Sequence, residues 1–349
     1  MTRVDEASAA VAARAGFDAA RLDAFLRGAL PGLAGPMRLA RIGGGQSNPT
    51  FFVDYDTRAL VLRKQPPGEL LPSAHAVDRE FRVMSALAGS GVPVPPMVFW
   101  CDDRGVVGTP FYLMRKLDGR VFAAHALDPV PRDERRAMYA SMADTLAALH
   151  RVDPAAVGLA GYGRPGDYFA RQVARWSRQW TASRTRENPW LERMIAWLPA
   201  NLPAGGADES AICHGDYRIG NLMFHRVEPR VIAVLDWELS TLGHPLADLG
   251  FNAMAWHTRP DEYGGIAGLD LDALGIPTLE EHVARYLVAS GRADGVQPFH
   301  VAFALFRFAV IFEGIAARAA AGNASGEDAR DAGTLAPAFA RRACELVGA

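Results

Sequence analysis

Asp216 and Asn221, with Asp236 a little further along the chain, are the residues of this sequence best able to do chemistry. Leu222, Met223 and Phe224 form a short apolar run after Asn221. A turn follows at Val227, Glu228, Pro229 and Arg230, and a second apolar run from Val231 to Leu235 ends at Asp236. Two apolar runs flanking a proline-containing turn predict a β-hairpin. Folding it about Glu228–Pro229 brings Asn221 and Asp236 side by side at the open end. An amide oxygen beside a carboxylate suits Mg²⁺, a hard cation that prefers oxygen ligands and keeps coordination positions for phosphate. Asp216, on the loop just before the hairpin, can face the same spot.

Other elements must position these groups. A strand is predicted from Met37 to Ile42, then the loop Gly43-Gly44-Gly45-Gln46-Ser47-Asn48, then an apolar restart at Phe51-Phe52-Val53. Glycines leave backbone N–H groups uncovered, so such a tip can approach phosphates closely. The alternative is an ordinary glycine hairpin. It is not a dinucleotide fingerprint, because the third glycine is missing and no strand–loop–helix unit follows. In the next strand, Leu60-Val61-Leu62-Arg63-Lys64, alternation puts Leu60 and Leu62 on one face and Val61 with Arg63 on the other. A helix starts at Pro72-Ser73, with Ser73 as N-cap, and runs to about Leu87. Val77, Phe81 and Met84 form its apolar stripe, and Glu80 falls on that stripe. A carboxylate facing a core is costly unless paired. Arg63 is the expected partner; at the stripe's edge, Arg79 or Arg82 would serve instead.

A stiff connector, Gly91 to Pro96, leads to a strand pair, Met97–Cys101 and Thr109–Leu113, around a polar turn at Asp102-Asp103-Arg104-Gly105. From Pro131 the periodicity is helical, with Met138, Met142, Leu146 and Leu149 on one face. A second helix near Tyr168 to Trp180 carries Tyr168, Gln172, Trp176 and Gln179 on one face, read as core rather than a substrate wall. Further helices are expected at Asn188–Leu198, Leu279–Ser290, Pro298–Ala321 and Leu335–Val347. The first 36 residues are an Ala-rich helical lead-in with Leu22, Phe25, Leu26 and Leu30 on a stripe.

The wording H-G-D-x-x-x-x-N at His214 to Asn221, then L-D-W-E at Leu235 to Glu238, resembles the catalytic centre of protein-kinase-like phosphotransferases. It is most similar to the aminoglycoside phosphotransferase and choline kinase branch, and within it to the domains associated with acyl-CoA dehydrogenases. The resemblance implies a two-lobed α+β fold with a small antiparallel-sheet lobe at 37–114 and a mainly helical lobe at 115–349 holding the catalytic segment 211–250. It implies that Asp216 is the base receiving the substrate hydroxyl, that Asn221 and Asp236 hold Mg²⁺, and that His214 and Asp248 support the loop. Gly44, Gly45, Gln46, Ser47 and Asn48 become the loop covering a nucleotide, ATP or GTP. Arg63, in phase with the phosphate-pairing cation of kinases and rivalled by Lys64, pairs with Glu80. Met114 lies behind adenine, with the backbone of Arg115 and Leu117 along its edge. No activation-loop or A-P-E element is present, which argues against a protein substrate.

The whole chain narrows the classes. With 349 residues, half of them apolar, and a formal charge of −2, it supports a large core and gives no nucleic-acid-binding surface. Cys101, Cys213 and Cys344 have no paired spacing, so neither a zinc site nor a disulfide framework is expected. The acidic start is unlike a signal peptide, and the apolar stretch from Val301 to Ala317 is interrupted by Arg307 and Glu313. A buried helix, no membrane and a cytoplasmic location are the expectations. Oligomeric state leaves no trace in the sequence. The reaction expected is transfer of a nucleotide γ-phosphoryl to a small-molecule hydroxyl. Abundant arginine and the lack of an acidic run favour a neutral or anionic acceptor, such as a hydroxyacyl thioester linked to a dehydrogenase, over an aminoglycoside. The rivals are a metal-dependent hydrolase using His214, Asp216, His244 and Asp248, and a catalytically silent nucleotide-binding protein.

Overall fold

Short strands of four to six residues build the first part of the chain. The computed structural model describes residues 4–43, 48–68, 75–164, 166–204, 209–320 and 329–349. They divide into two units, one of Met1–Ala88, Val94–Asp118 and Asp236–Glu238, the other of Gly89–Pro93, Gly119–Leu235 and Leu239–Ala349.

The first unit contains α1 (Glu6–Arg14), α2 (Ala19–Ala29), β1 (Arg38–Arg41), β2 (Thr50–Asp54), β3 (Ala59–Lys64), α3 (Val77–Leu87), β4 (Met97–Cys101), α4 (Arg104–Val107) and β5 (Phe111–Arg115). The strands form one antiparallel sheet in the order β1-β2-β3-β5-β4. Leu39, Phe51, Val53, Leu60, Leu62, Phe111 and Leu113 share a core with Ala12, Leu22 and Leu26 of the two lead-in helices. Asp5 and Asp18 cap those helices by accepting backbone amides. Helix α3 packs on β4 and β5, with Phe81 against Trp100 and Tyr112. The polar turn expected between β4 and β5 is a one-turn helix, capped by Asp103 and ended by Gly108 in the left-handed region.

The second unit contains β6 (Gly119–Arg120), α5 (Arg132–His150), α6 (Tyr168–Ser183), α7 (Pro189–Ala200), β7 (Ala211–Cys213), β8 (Leu222–His225), β9 (Val231–Val234), β10 (Thr241–Gly243), α8 (Pro245–Ala253), α9 (Leu271–Leu274), α10 (Leu279–Ser290), α11 (Pro298–Ala320) and α12 (Ala329–Val347). Helix α11 is the one described helix long and apolar enough to cross a membrane, and most of it is buried in this core. Its apolar residues pack with α6, α7, α8 and α12. A Cβ on Gly250 of α8 would stand 2.7 Å from the His300 backbone, so glycine permits the close α8–α11 approach. On α5, Met138, Met142, Leu146 and Leu149 are all fully buried, as their spacing requires. On α6 the expected face is out of phase. Phe169, Val173 and Trp180 carry the core with Tyr168, while Gln179 is exposed and Gln172 and Trp176 are half-buried.

Candidate active site

The segment between β7 and β8 is held in place by bonds from three helices. Helix α8 supplies the Asp248 carboxylate, which accepts the His214 amide at 2.5 Å and the Gly215 amide at 2.8 Å. One turn on, Asn252 donates to the Tyr217 carbonyl at 3.3 Å. From α5, the Met142 carbonyl accepts the Tyr217 hydroxyl at 2.8 Å. From α11, the buried Arg307 donates to the Gly215 carbonyl. Gly215 has φ +84°, and a Cβ there would stand 2.5 Å from the Leu239 carbonyl oxygen. Burial pushes the Asp248 carboxyl up, but the His150 hydrogen bond, the His150 and His214 rings and the Gly215 amide outweigh it and hold it below its usual range.

His214 is fully buried, with Nε2 on the Leu235 carbonyl at 2.8 Å and Nδ1 accepting the Asp216 amide at 3.1 Å. Asp216 Oδ2 accepts Asn221 Nδ2 at 2.7 Å, and the same nitrogen reaches the Asp216 carbonyl at 2.8 Å. With its nitrogen so committed, Asn221 has its amide oxygen left for a cation, as a hard-metal ligand requires. Arg218 Nε lies 3.5 Å from Asp216 Oδ1, and its guanidinium sits over the Tyr263 ring at 4.9 Å. The hairpin forms one residue out of the expected register: Leu222 lies opposite Val234 and Met223 opposite Ala233, with a bulge between Met223 and Phe224, so Leu235 and not Asp236 comes opposite Asn221. At its open end the Leu235 amide donates to the Asn221 carbonyl at 2.8 Å. Asp236 follows directly.

In the first unit, Arg63 stands among three carboxylates. Its Nε is 3.0 Å from Glu80 Oε2, and its Nη2 is 2.7 Å from Asp236 Oδ1 and 3.6 Å from Glu238 Oε2. Burial opposes the Arg63 charge, and the carboxylates of Glu80, Asp236 and Glu238 outweigh it and raise its pKa. Glu80 also accepts the Tyr112 hydroxyl at 3.0 Å, yet burial pushes its carboxyl up to about 7, with Arg63 pulling the other way. Asp236 has φ +64°. Aspartate tolerates this left-handed conformation better than most residues, and backbone strain of this kind collects at functional sites. Lys64 points to the opposite face of β3, where Nζ donates to the Val107 carbonyl at 2.6 Å and burial lowers its pKa to about 8. The β3 alternation therefore sets Arg63, not Lys64, beside Glu80.

Two expected nucleotide contacts read differently in the structure. Asn48 is buried and donates to Glu80 Oε1 at 2.8 Å, with its oxygen 3.1 Å from His75 Nδ1, so it braces Glu80 instead of facing solvent. The Arg115 amide donates to the Pro96 carbonyl at 2.9 Å, which closes that group to a base edge. Met114 and Leu117 are half-buried. Gly44, Gly45, Gln46, Ser47 and Ser73 lie outside the described residues, and α3 starts at Val77 with Ala76 in the N-cap position, later than the start expected at Pro72-Ser73. Tyr217 and Asn252 were not anticipated, and Arg307 was singled out only as a charge in the apolar stretch, without its bond to the Gly215 carbonyl. The signal for Asn252 is its place one turn after Asp248 in an otherwise apolar helix; Arg307 is a charge inside a buried apolar stretch.

The family profile of the "Phosphotransferase enzyme family" matches residues 38–294. The chain belongs to that family. A crystal structure from Ralstonia eutropha, provisionally described as an aminoglycoside phosphotransferase, is 44% identical, covers 95% of this chain and 98% of its own, and superposes with a TM-score of 0.85. A thermostable mutant of aminoglycoside phosphotransferase APH(4)-Ia, in ternary complex with AMP-PNP and hygromycin B, shares the fold: TM-score 0.61, 14% identity, 93% of this chain and 98% of its own. The phosphotransferase is also 41% identical over 334 residues to acyl-CoA dehydrogenase family member 10 of Mus musculus, covering 93% of this chain but 31% of that relative. The chain thus spans less than a third of that curated relative. The fold is the kinase-like one, a small antiparallel-sheet lobe and a helical lobe.

Proposed function

We propose that this phosphotransferase moves the γ-phosphoryl group of ATP, or GTP, to a hydroxyl on a small molecule. Asp216 takes the hydroxyl proton as the hydroxyl oxygen bonds to phosphorus and the bond to the nucleoside diphosphate breaks. Arg63, held by Glu80, orients the phosphates. Asn221 and Asp236 would hold Mg²⁺, which when bound neutralises phosphate charge in a transfer where positioning and electrostatics supply most of the catalysis. The observation that carries this reading is the Asp216 carboxylate, fixed by Asn221 Nδ2 on a loop braced through Asp248. AMP-PNP and hygromycin B in a structural neighbour support a nucleotide and a small-molecule acceptor. The likeness to a dehydrogenase family member supports a hydroxyacyl thioester among the acceptors and a functional link to acyl-CoA dehydrogenation.

The hydrolase reading loses its first ligand, His214, whose two ring nitrogens are committed to the Leu235 carbonyl and the Asp216 amide. Mg²⁺-dependent binding of ATP, followed by phosphorylation of a panel of hydroxylated metabolites, tests the proposal. Asp236→Ala is expected to weaken Mg²⁺–ATP binding and leave the fold intact. Undiminished Mg²⁺-dependent ATP binding by that variant would remove the metal assignment.

A further inference from the structure

The helical unit holds two neighbouring arginines that pair with no carboxylate among the described residues. Arg175 and Arg307 both sit over the Trp176 ring, at 5.2 and 5.8 Å from its centroid. Arg307 is 5% exposed, donates to the Gly215 carbonyl, and keeps Nε buried without a hydrogen-bond partner. Among the described residues neither guanidinium pairs with an acidic side chain. Several other arginines of the unit pair with carboxylates, Arg292 with Glu209 and Asp294, Arg342 with Glu262, Arg120 with Glu134, and the buried Arg135 is met by three backbone carbonyls. Burying a charge without a counter-charge is costly. Two guanidiniums on one indole add mutual repulsion, and burial together with the Arg307 charge lowers the pKa of Arg175. The half-buried Trp176 ring stabilises them only in part.

A ligand's negative charge would complete both guanidiniums, one buried and one on the exposed side of α6, and the place bears on which ligand. Arg307 touches the residue immediately before Asp216. We propose that the acceptor is an anionic alcohol whose carboxylate or phosphate is bound by Arg307 and Arg175, a short carbon chain away from the hydroxyl presented to Asp216. This inference rests on the phosphotransferase reading above and assigns its acceptor a charge class. Guanidiniums match both oxyanions, since their N–H groups form a fork complementary to two oxygens.

Two matched pairs test it: 3-hydroxybutyrate against 1,3-butanediol, and glycerol 3-phosphate against glycerol, each assayed for phosphoryl transfer from ATP and for binding by calorimetry. In at least one pair, the anionic member is expected to exceed its neutral partner by about tenfold or more in affinity and kcat/KM. The pair that responds tells carboxylate from phosphate. Arg175→Gln, on the exposed side of α6, is expected to raise KM for that anion with kcat little changed, and to leave the neutral alcohol alone. Arg307→Lys should retain more anion affinity than Arg307→Gln. Failure of both anions to bind, or an Arg175→Gln effect equal on charged and neutral members, overturns the proposal. Arg175-dependent anion binding without phosphate transfer would count instead against the phosphotransferase reading and leave the anion site standing.

Discussion

Replacing Asp248 by asparagine tests how the catalytic loop is held. The carboxylate accepts two backbone amides, from His214 and Gly215, and lies 3.4 Å from His150 Nε2. Asparagine keeps one acceptor and turns its nitrogen toward an N–H donor. Hydrogen bonds to a charged group contribute about 1.5–3 kcal/mol each, and a buried donor left without a partner costs about 1–3 kcal/mol. The expected loss is therefore about 2–4 kcal/mol, serious but survivable against a typical stability of roughly 5–15 kcal/mol. Because the loop carries Asp216, a small displacement matters, and misplacement by about 1 Å can cost on the order of 10²-fold in rate. Urea denaturation should show the lower midpoint, and single-turnover transfer the lower rate, with ATP affinity little changed. The pH dependence supplies a further check. The Asp248 pKa is depressed in the folded protein, so its contribution is complete above the unfolded value near about 4 and is lost only as pH falls through the folded one. The Asp248→Asn penalty should thus be flat between about pH 6 and 8. Wild-type stability and rate in this variant would refute the bracing argument.

Other consequences follow from the same geometry. Arg63→Ala and Glu80→Ala should be non-additive in transfer rate, because each acts through their 3.0 Å pair; losses that simply add would mean the pair does not operate in catalysis. Lys64→Met should change stability and leave ATP affinity alone, since Nζ is bonded to the Val107 carbonyl on the other face of the sheet; weakened ATP binding would reopen its role. Burial depresses His125, His282 and His300 to about 4, 3 and 4. Lowered histidine values mean the unfolded chain binds more protons below about pH 6.5, so stability is full above that value and falls toward pH 4, on the order of 2 kcal/mol per histidine at about pH 5. Denaturation midpoints that stay level from pH 7 to 5 would contradict those buried neutral rings.

Residues whose chemistry conflicts with their pattern were the legible ones. Glu80 stands out as a carboxylate on an apolar stripe, and strand alternation favoured Arg63 as its partner, while Lys64 stayed a rival until the structure turned it to the Val107 carbonyl. The hairpin itself was readable from two apolar runs and a proline turn, but its register was not, because a bulge between Met223 and Phe224 brings Leu235 and not Asp236 opposite Asn221. The α6 face was not, because Tyr168, Phe169, Val173, Trp176 and Trp180 offer two overlapping helical stripes, and packing against α11 selects between them. Strand β6 is two residues long and exists through pairing with β8, a partner distant in sequence. Arg307 sits in a helix whose composition says only that it is buried; what its charge does depends on the loop beside it.

The claim on which the rest depends is that Asp216 acts on the acceptor hydroxyl. Asparagine at this position keeps an acceptor for Asn221 Nδ2, now 2.7 Å from Oδ2, so the loop should hold its shape. Loss of a positioned base typically lowers the rate by about 10²–10⁴-fold. Single-turnover transfer from ATP to an acceptor that the wild type phosphorylates, measured alongside ATP binding, isolates the effect. The account predicts a fall of that size for Asp216→Asn with nucleotide affinity nearly unchanged, and transfer at close to the wild-type rate would contradict it.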